Sequence, residues 1–111
     1  MVPGTLVAMS EPTHPNLAHL HAMARSLRAW HPHVALTVNQ ATLRVVKFDA
    51  HSPELHVHDA DECYVVLDGE MLIEIDGEPS THLVKGDAYV VRAGTKHRPF
   101  ALPHASILLI T

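Results

Sequence analysis

A series of short, strand-like runs separated by turn residues begins at residue 34, and it limits the fold more than any other feature of the sequence. Turn chemistry is provided by Asp68-Gly69, Asp76-Gly77 and Lys85-Gly86-Asp87. Short strands joined by such turns are typical of a β-sandwich or β-barrel, and we predict an all-β barrel. The expected strands are residues 34–38, 42–48, 63–67, 71–75, 81–84, 88–91, 97–102 and 106–111.

A short helix is expected before the barrel, because the apolar residues at positions 17, 20, 24 and 27 follow helical spacing. A chain of 111 residues has room for one core. We therefore divide the sequence into an N-terminal arm with a short helix, residues 1–33, and a barrel, residues 34–111.

The composition argues against disorder and against nucleic-acid binding. Hydrophobic residues make up 47% of the chain, the formal net charge is −4, and no basic patch dominates. The single cysteine excludes an internal disulfide and fits a reducing compartment. The N-terminus lacks the basic region of a signal peptide, and no segment has the roughly 20 apolar residues needed to span a bilayer. We expect a cytoplasmic protein without a membrane or nucleic-acid partner.

The most specific chemical pattern is a set of three histidines and one glutamate: His56, His58, Glu62 and His97. Residues i and i+2 of a strand point to the same face, so the rings of His56 and His58 can aim at one point. A turn after His58 would bring the Glu62 carboxylate beside them. Imidazole and carboxylate suit a divalent ion such as iron, manganese, nickel, copper or zinc, and we predict a metal site. The alternative is a metal-free group of hydrogen-bonded core residues.

Two other His-X-His pairs lack this context. His19 and His21 fall in the expected helix, where residues two apart point about 200° away from each other. His31 and His33 flank a proline, with no acidic partner at a fixed offset. We expect neither pair to bind metal. The histidines near turns are expected at the surface: His51, His82 and His104.

These residues give the sequence a resemblance to the cupin family. The first cupin motif is matched by His56, His58, Glu62 and Gly69, and the second by Gly86, Gly94 and His97. Three motif positions differ, none of them a ligand: Ala50, Arg92 and Ala101. We expect Arg92 to be a solvated turn residue or a cation near the barrel mouth. The resemblance covers residues 34–111 and implies an RmlC-like jelly-roll barrel, also called a double-stranded β-helix, with the metal inside.

A pocket beside the metal is expected to be mostly apolar and to bind an anionic or enolisable oxygen ligand. By strand alternation Tyr64 shares the face of Glu62 and is the candidate catalytic residue, as a hydrogen-bond donor or an acid/base; the alternative is a core aromatic. Phe48, Tyr89 and Phe100 either shape the pocket or fill the barrel. Asp59 and Asp61 are expected to be solvated.

Three classes of function remain open. The resemblance implies a metal-dependent enzyme of dioxygenase, isomerase, lyase or cyclase type, acting on a small oxygen-rich or enolisable organic substrate. A non-catalytic cupin that binds or senses a small molecule is the alternative, although no helix-turn-helix region is evident. A storage protein would not need an open metal site. We also expect a homodimer in which the arm at residues 2–9 packs on the partner barrel, because small barrels tend to cover their edge strands.

Overall fold

The computed structural model describes residues 14–111, which form one short helix and six strands. These are α1 Leu20–Ser26, β1 His33–Val38, β2 Ala41–Phe48, β3 Glu62–Ile75, β4 Thr81–Val84, β5 Ala88–Val91 and β6 His97–Ile110. The prediction of an all-β architecture with one short helix is confirmed. The arm expected at residues 2–9 lies outside the described residues. No helix in the described part of the chain is long and apolar enough to cross a membrane.

All strand pairs are antiparallel, and β6 lies in the middle of the sheet. The order is β1-β2-β6-β3-β4, and β5 pairs with the first residues of β3. The two long strands pair from Cys63 opposite Ile110 to Ile75 opposite His97. A straight ladder of this length would separate its ends by about 40 Å. Because Glu62 and His97, near those opposite ends, are in side-chain contact, the paired strands must roll over on themselves and enclose the site.

A bulge in β3 accompanies this rolling. The pairing of β3 with β6 shifts register between Val66 and Asp68, where β3 has an extra residue, and again between Gly69 and Met71, where β6 has the extra residues. Gly69 has a φ of +82°, and a Cβ atom there would collide with the carbonyl oxygen of His104 and lie 2.9 Å from Cα of Ala105. The bulge changes which positions face the interior, since buried residues are even-numbered before it and odd-numbered after it: Glu62, Tyr64, Val66, then Met71, Ile73, Ile75.

Several expected boundaries were wrong. The runs 63–67 and 71–75 form the single strand β3, because Asp68-Gly69 lies in a bulge and not in a turn. The runs 97–102 and 106–111 form the single strand β6, which continues through a cis Leu102-Pro103 peptide bond. The helix begins at Leu20, and the preceding Leu17 is half exposed. The bounds of β4 and β5 are those predicted.

The core draws apolar side chains from every described strand except β1. Its largest fully buried apolar side chains include Met71, Ile73 and Ile107. Among the described residues, the buried polar or charged ones are Glu62 and His97. Two ionisable groups inside an apolar barrel must be compensated by each other or by a ligand, since burying an unpaired charge is costly.

Candidate metal centre

Backbone hydrogen bonds join the two chain segments that carry the four predicted ligands. The N–H of His56 donates to the carbonyl of His97, and the N–H of His97 donates to the carbonyl of His56, each at 2.9 Å. The N–H of Gly94 donates to the carbonyl of His58, also at 2.9 Å. His56 and His58 lie in an extended segment outside the named strands, which corrects the predicted strand context. This segment holds both residues against the start of β6.

The rings of His56, His58 and His97 converge. Each offers one ring nitrogen, and these three atoms lie within 4.8 Å of one another. The carboxylate of Glu62 contacts two of the rings, with Oε1 3.2 Å from Nε2 of His97 and Oε2 3.6 Å from Nε2 of His58. The structure thus brings together the four side chains that the sequence singled out. That they bind a metal ion stays a prediction.

This group of four side chains extends from the interior of the barrel towards its surface. His97 is 1% exposed, the side chain of Glu62 is 12% exposed, and that of His58 is 45% exposed. One side of the group is therefore in the apolar interior, where electrostatic interactions are strong, and the other side is reached by solvent.

Two backbone carbonyl groups determine which ring nitrogen of His56 and of His97 points towards the other predicted ligands. Nδ1 of His56 lies 2.9 Å from the carbonyl oxygen of Glu54, and Nδ1 of His97 lies 2.8 Å from that of Thr95. A carbonyl oxygen only accepts hydrogen bonds, so both Nδ1 atoms carry the hydrogen. In a neutral ring, Nε2 then presents a lone pair. Such contacts behind the ring are the usual way in which proteins orient histidine ligands.

Tyr64 lies where its predicted face places it, 2% exposed and beside Glu62. Its hydroxyl donates to Oε1 of Glu62 at 3.0 Å and is 3.5 Å from Nε2 of His97. Burial, and then the negative charge of Glu62, raise the pKa of Tyr64 well above its usual value, so the hydroxyl keeps its proton at neutral pH. The structure therefore makes Tyr64 a hydrogen-bond donor, and its catalytic role stays a prediction.

Asp61 is exposed, as expected, but it is also bound to the turn before His97. Its Oδ1 accepts the N–H of Ala93 at 2.8 Å, and its Oδ2 accepts a hydrogen bond from Arg92 at 3.2 Å. The hydrogen bond from Ala93, followed by that from Arg92, holds the pKa of Asp61 below its usual value. The carboxylate therefore helps to fix the turn that leads to His97 against the start of β3. The Arg92 side chain is itself 74% exposed.

A cavity of about 240 Å³ is lined by three of the four side chains, those of His56, His58 and Glu62. Its polar wall is formed by His56, His58, Glu62 and Tyr64, and its apolar wall by Trp30, Val46, Phe48, Leu109 and three prolines. Of the three aromatic residues considered from the sequence, Phe48 lines this cavity, whereas Tyr89 packs against the core from a half-buried position. Trp30 was missed. Its only signal was that it is the single tryptophan of the chain.

The other two His-X-His pairs lie outside this group. His19, His21, His31 and His33 are exposed, and none of them belongs to the three-histidine set. The histidines expected at the surface are exposed as well: His51, His82 and His104. Among the described residues, the three-histidine group therefore contains the one His-X-His pair that the sequence distinguished, His56 and His58.

Comparison with known proteins gives a consistent picture. Residues 42–110, more than half of the chain, match the family model Cupin_2, a cupin domain. The uncharacterized protein YdbB of Bacillus subtilis (strain 168) is 29% identical over 83 residues, which are 74% of each chain.

Two solved structures show the same fold. A cupin-2 domain containing protein from Shewanella frigidimarina has a TM-score of 0.78 at 24% identity, covering 87% of this chain and 94% of that one. Protein NMB1881 from Neisseria meningitidis also has a TM-score of 0.78, at 21% identity, covering 86% and 97%. The predicted jelly-roll barrel is confirmed, and the chain belongs to the cupin family.

Proposed function

We propose that this cupin binds a divalent transition metal ion through His56, His58, Glu62 and His97, and that it is a metal-dependent enzyme acting on a small oxygen-rich or enolisable organic substrate. Iron, manganese, nickel, copper and zinc all suit imidazole and carboxylate ligands. The observation that carries the proposal is the convergence of three histidine nitrogens within 4.8 Å.

The contact between His97 and Glu62 supports a cation at this place. Nδ1 of His97 carries the hydrogen, so a neutral ring turns its Nε2 lone pair towards Oε1 of Glu62, 3.2 Å away. Two acceptors at this distance repel each other unless a proton or a cation lies between them. A proton would satisfy this pair alone, whereas a metal ion would also satisfy the rings of His56 and His58.

The distances also fit ligands that share one ion. Two ligand atoms that are each about 2.1 Å from an ion, at a right angle, are about 3 Å apart. The contacts of Glu62 with His97 and His58, 3.2 and 3.6 Å, are close to this value. The donor set contains no thiolate, which is the commonest ligand of closed structural zinc sites.

A bound ion would supply Lewis-acid activation of a substrate oxygen. The protein itself would orient the ligand side chains and exclude water from the apolar wall of the cavity. Carbonyl groups of Glu54 and Thr95 hold two rings in place, and the Tyr64 hydroxyl donates to Glu62. The apolar wall of the cavity keeps water from the part of a substrate that packs against it, while the His58 side of the centre stays open to solvent. A dioxygenase, isomerase, lyase or cyclase could use this arrangement.

Metal analysis of protein purified without a His-tag or chelator tests the proposal. We expect His58→Ala and His97→Ala to lower metal occupancy sharply, and His19→Ala, which changes an exposed histidine outside the group, to leave it unchanged. Circular dichroism checks the fold of His97→Ala, because His97 is buried. His58 is exposed, so His58→Ala remains informative if His97→Ala does not fold. Equal occupancy in the wild type and His58→Ala would contradict the proposal.

Turnover separates the enzyme from a small-molecule sensor. Metal-loaded wild-type protein is incubated with candidate enols, phenols and hydroxy acids, and consumption of substrate is followed by mass spectrometry. An enzyme consumes at least one of them, and His58→Ala loses that activity. Saturable binding without consumption would instead favour the non-catalytic function.

A further inference from the structure

Trp30 is held in the cavity wall by an unusual backbone conformation and by several contacts. Its φ is +67°, a left-handed conformation that is unfavourable for a residue with a bulky side chain. Three contacts hold it there. Its N–H donates to the carbonyl of Lys47 at 2.8 Å, its indole N–H donates to Oδ1 of Asp49 at 2.9 Å, and its ring stacks on Phe48 with centroids 4.4 Å apart. Such strain is often found where a side chain must be placed for function.

The hydrogen bond to Asp49 uses the only polar atom of the indole. Asp49 also accepts the N–H of His51 at 2.8 Å, and the bonds from Trp30 and His51 hold the pKa of Asp49 below its usual value. The carboxylate is therefore ionised at neutral pH and keeps the indole N–H occupied. What Trp30 offers to the cavity is an apolar ring.

Aromatic rings connect Trp30 to the four predicted ligands. Trp30 stacks on Phe48, the ring centroids of Phe48 and Tyr64 are 6.4 Å apart, and the Tyr64 hydroxyl donates to Glu62. Among the described residues that line the cavity, none is a lysine, arginine, asparagine, glutamine, serine or threonine. The cavity thus has one polar end, at the predicted ligands, and an apolar remainder.

This division limits what can fill the cavity. A substrate with hydroxyl groups along its length would lose hydrogen bonds to water at the apolar wall and gain none in return. An apolar body gains from the same surface because it leaves water. The volume of about 240 Å³ is also smaller than the pockets of about 300–1,000 Å³ that hold drug-sized ligands.

We propose that Trp30 is a specificity-determining residue and that the substrate has a single-ring or branched apolar body, packed against Trp30 and Phe48, with one oxygen-bearing end at the four predicted ligands. The oxygen-bearing end rests on the proposed function. The apolar body rests on the cavity wall alone. Polyhydroxylated substrates of the same size are disfavoured.

Three α-hydroxycarboxylates with the same oxygen-bearing end provide the probes. Glycolate has no body, mandelate has a phenyl body, and threonate has a hydroxylated body. Calorimetric titrations are made with metal-loaded and with metal-free wild-type protein. We expect mandelate to bind at least about tenfold more tightly than threonate in both forms. Mandelate should also change the fluorescence of the single tryptophan, which is Trp30.

Variants at position 30 test the residue itself. Trp30→Ala should lower mandelate affinity about tenfold while leaving glycolate affinity and metal content unchanged. Trp30→Phe keeps an aromatic ring and should keep most of the preference. Val84→Ala, on an exposed valine outside the cavity wall, is the control and should behave as wild type.

Threonate binding as tightly as mandelate in both forms of the wild type would overturn the inference, and so would a Trp30→Ala protein that keeps the full preference. If circular dichroism shows that Trp30→Ala does not fold, the wild-type ratio and Trp30→Phe still decide. Absence of bound metal contradicts the proposed function instead. If no metal is bound, the affinity of the metal-free protein for mandelate relative to threonate still tests the proposed apolar body of the substrate.

Discussion

The hydroxyl of Tyr64 touches both segments that form the candidate centre. It donates to Oε1 of Glu62 and lies 3.5 Å from Nε2 of His97, which belongs to a segment far away in sequence. A carboxylate can rotate about its terminal bond, and the hydroxyl limits that rotation. Tyr64 therefore acts on the predicted ligands by orienting Glu62.

Removing this hydroxyl should weaken metal binding without unfolding the protein. Tyr64→Phe keeps the buried ring and loses the donor to Glu62. We expect metal affinity to fall about tenfold or more, which is the usual effect of losing a hydrogen bond to a ligand. Competition with a chromogenic chelator measures the dissociation constant. The control is Tyr89→Phe. Tyr89 is a half-buried tyrosine on β5, opposite Tyr64 of β3. Unchanged affinity in Tyr64→Phe would show that the hydroxyl does not orient Glu62.

At the level of elements, the bulge in β3 determines which side chains enter the barrel. Gly69→Ala would place a Cβ against the carbonyl of His104, in a residue whose φ is +82°. We expect the free energy of unfolding to fall by about 2 kcal/mol or more, since both steric overlap and backbone strain oppose the substitution. Urea unfolding measures the change.

Gly77 provides a matched control for this prediction. Its φ is +80°, but no atom lies within 4 Å of an added Cβ. Gly77→Ala should therefore lose only about 1 kcal/mol, the cost of backbone strain alone. Equal losses at both glycines would mean that the close approach of β6 to Gly69 does not contribute.

The sequence predicted elements well where local chemistry decides them. The bounds of β4 and β5 follow from apolar runs between clear turns. The prediction was wrong at Asp68-Gly69. This dipeptide is typical of a turn, but here it lies in a bulge because β6 pairs with β3 on both sides of it. A glycine with a positive φ can belong to a hairpin turn or to a bulge. Which of the two forms depends on the neighbouring strand, and the local sequence does not specify that strand.

The candidate site shows the same limit. The spacing of His56, His58 and Glu62 in one short segment, with His97 in a second motif, was sufficient to predict that the four side chains meet. Trp30 could not be predicted in this way. Its place in the cavity depends on stacking with Phe48 and on a hydrogen bond to Asp49, contacts that the local sequence around Trp30 does not specify.

At the scale of the molecule, β1 is an edge strand of the sheet that residues 14–111 form, and it carries apolar side chains in solvent. It pairs with β2 among the described residues, and Val34 and Val38 are 55% and 56% exposed. Exposed apolar edges favour association with another chain. We therefore propose that the protein is a homodimer and that β1 is part of the interface.

Light scattering at micromolar concentration tests this proposal. The wild type should have the mass of a dimer, and the double variant Val34→Lys/Val38→Lys should have that of a monomer, because two buried ammonium groups would oppose the interface. Val90→Lys, at an exposed valine on β5, should leave the dimer intact. A monomeric wild type would contradict the proposal.

The position of β6 in the middle of the sheet affects the order in which the molecule can be assembled. β1 and β2 are close in sequence, as are β3, β4 and β5, so each group can form from local contacts. In the described sheet the two groups are joined by β6, whose first residue is His97. Without β6 in place, His56, His58 and Glu62 would lack the fourth side chain of the centre and the backbone pairing of His56 with His97. His97 reaches the centre where β6 pairs with the end of β3, and residues 105–110 of the same strand pair with β2, so one strand both completes the centre and joins the two groups.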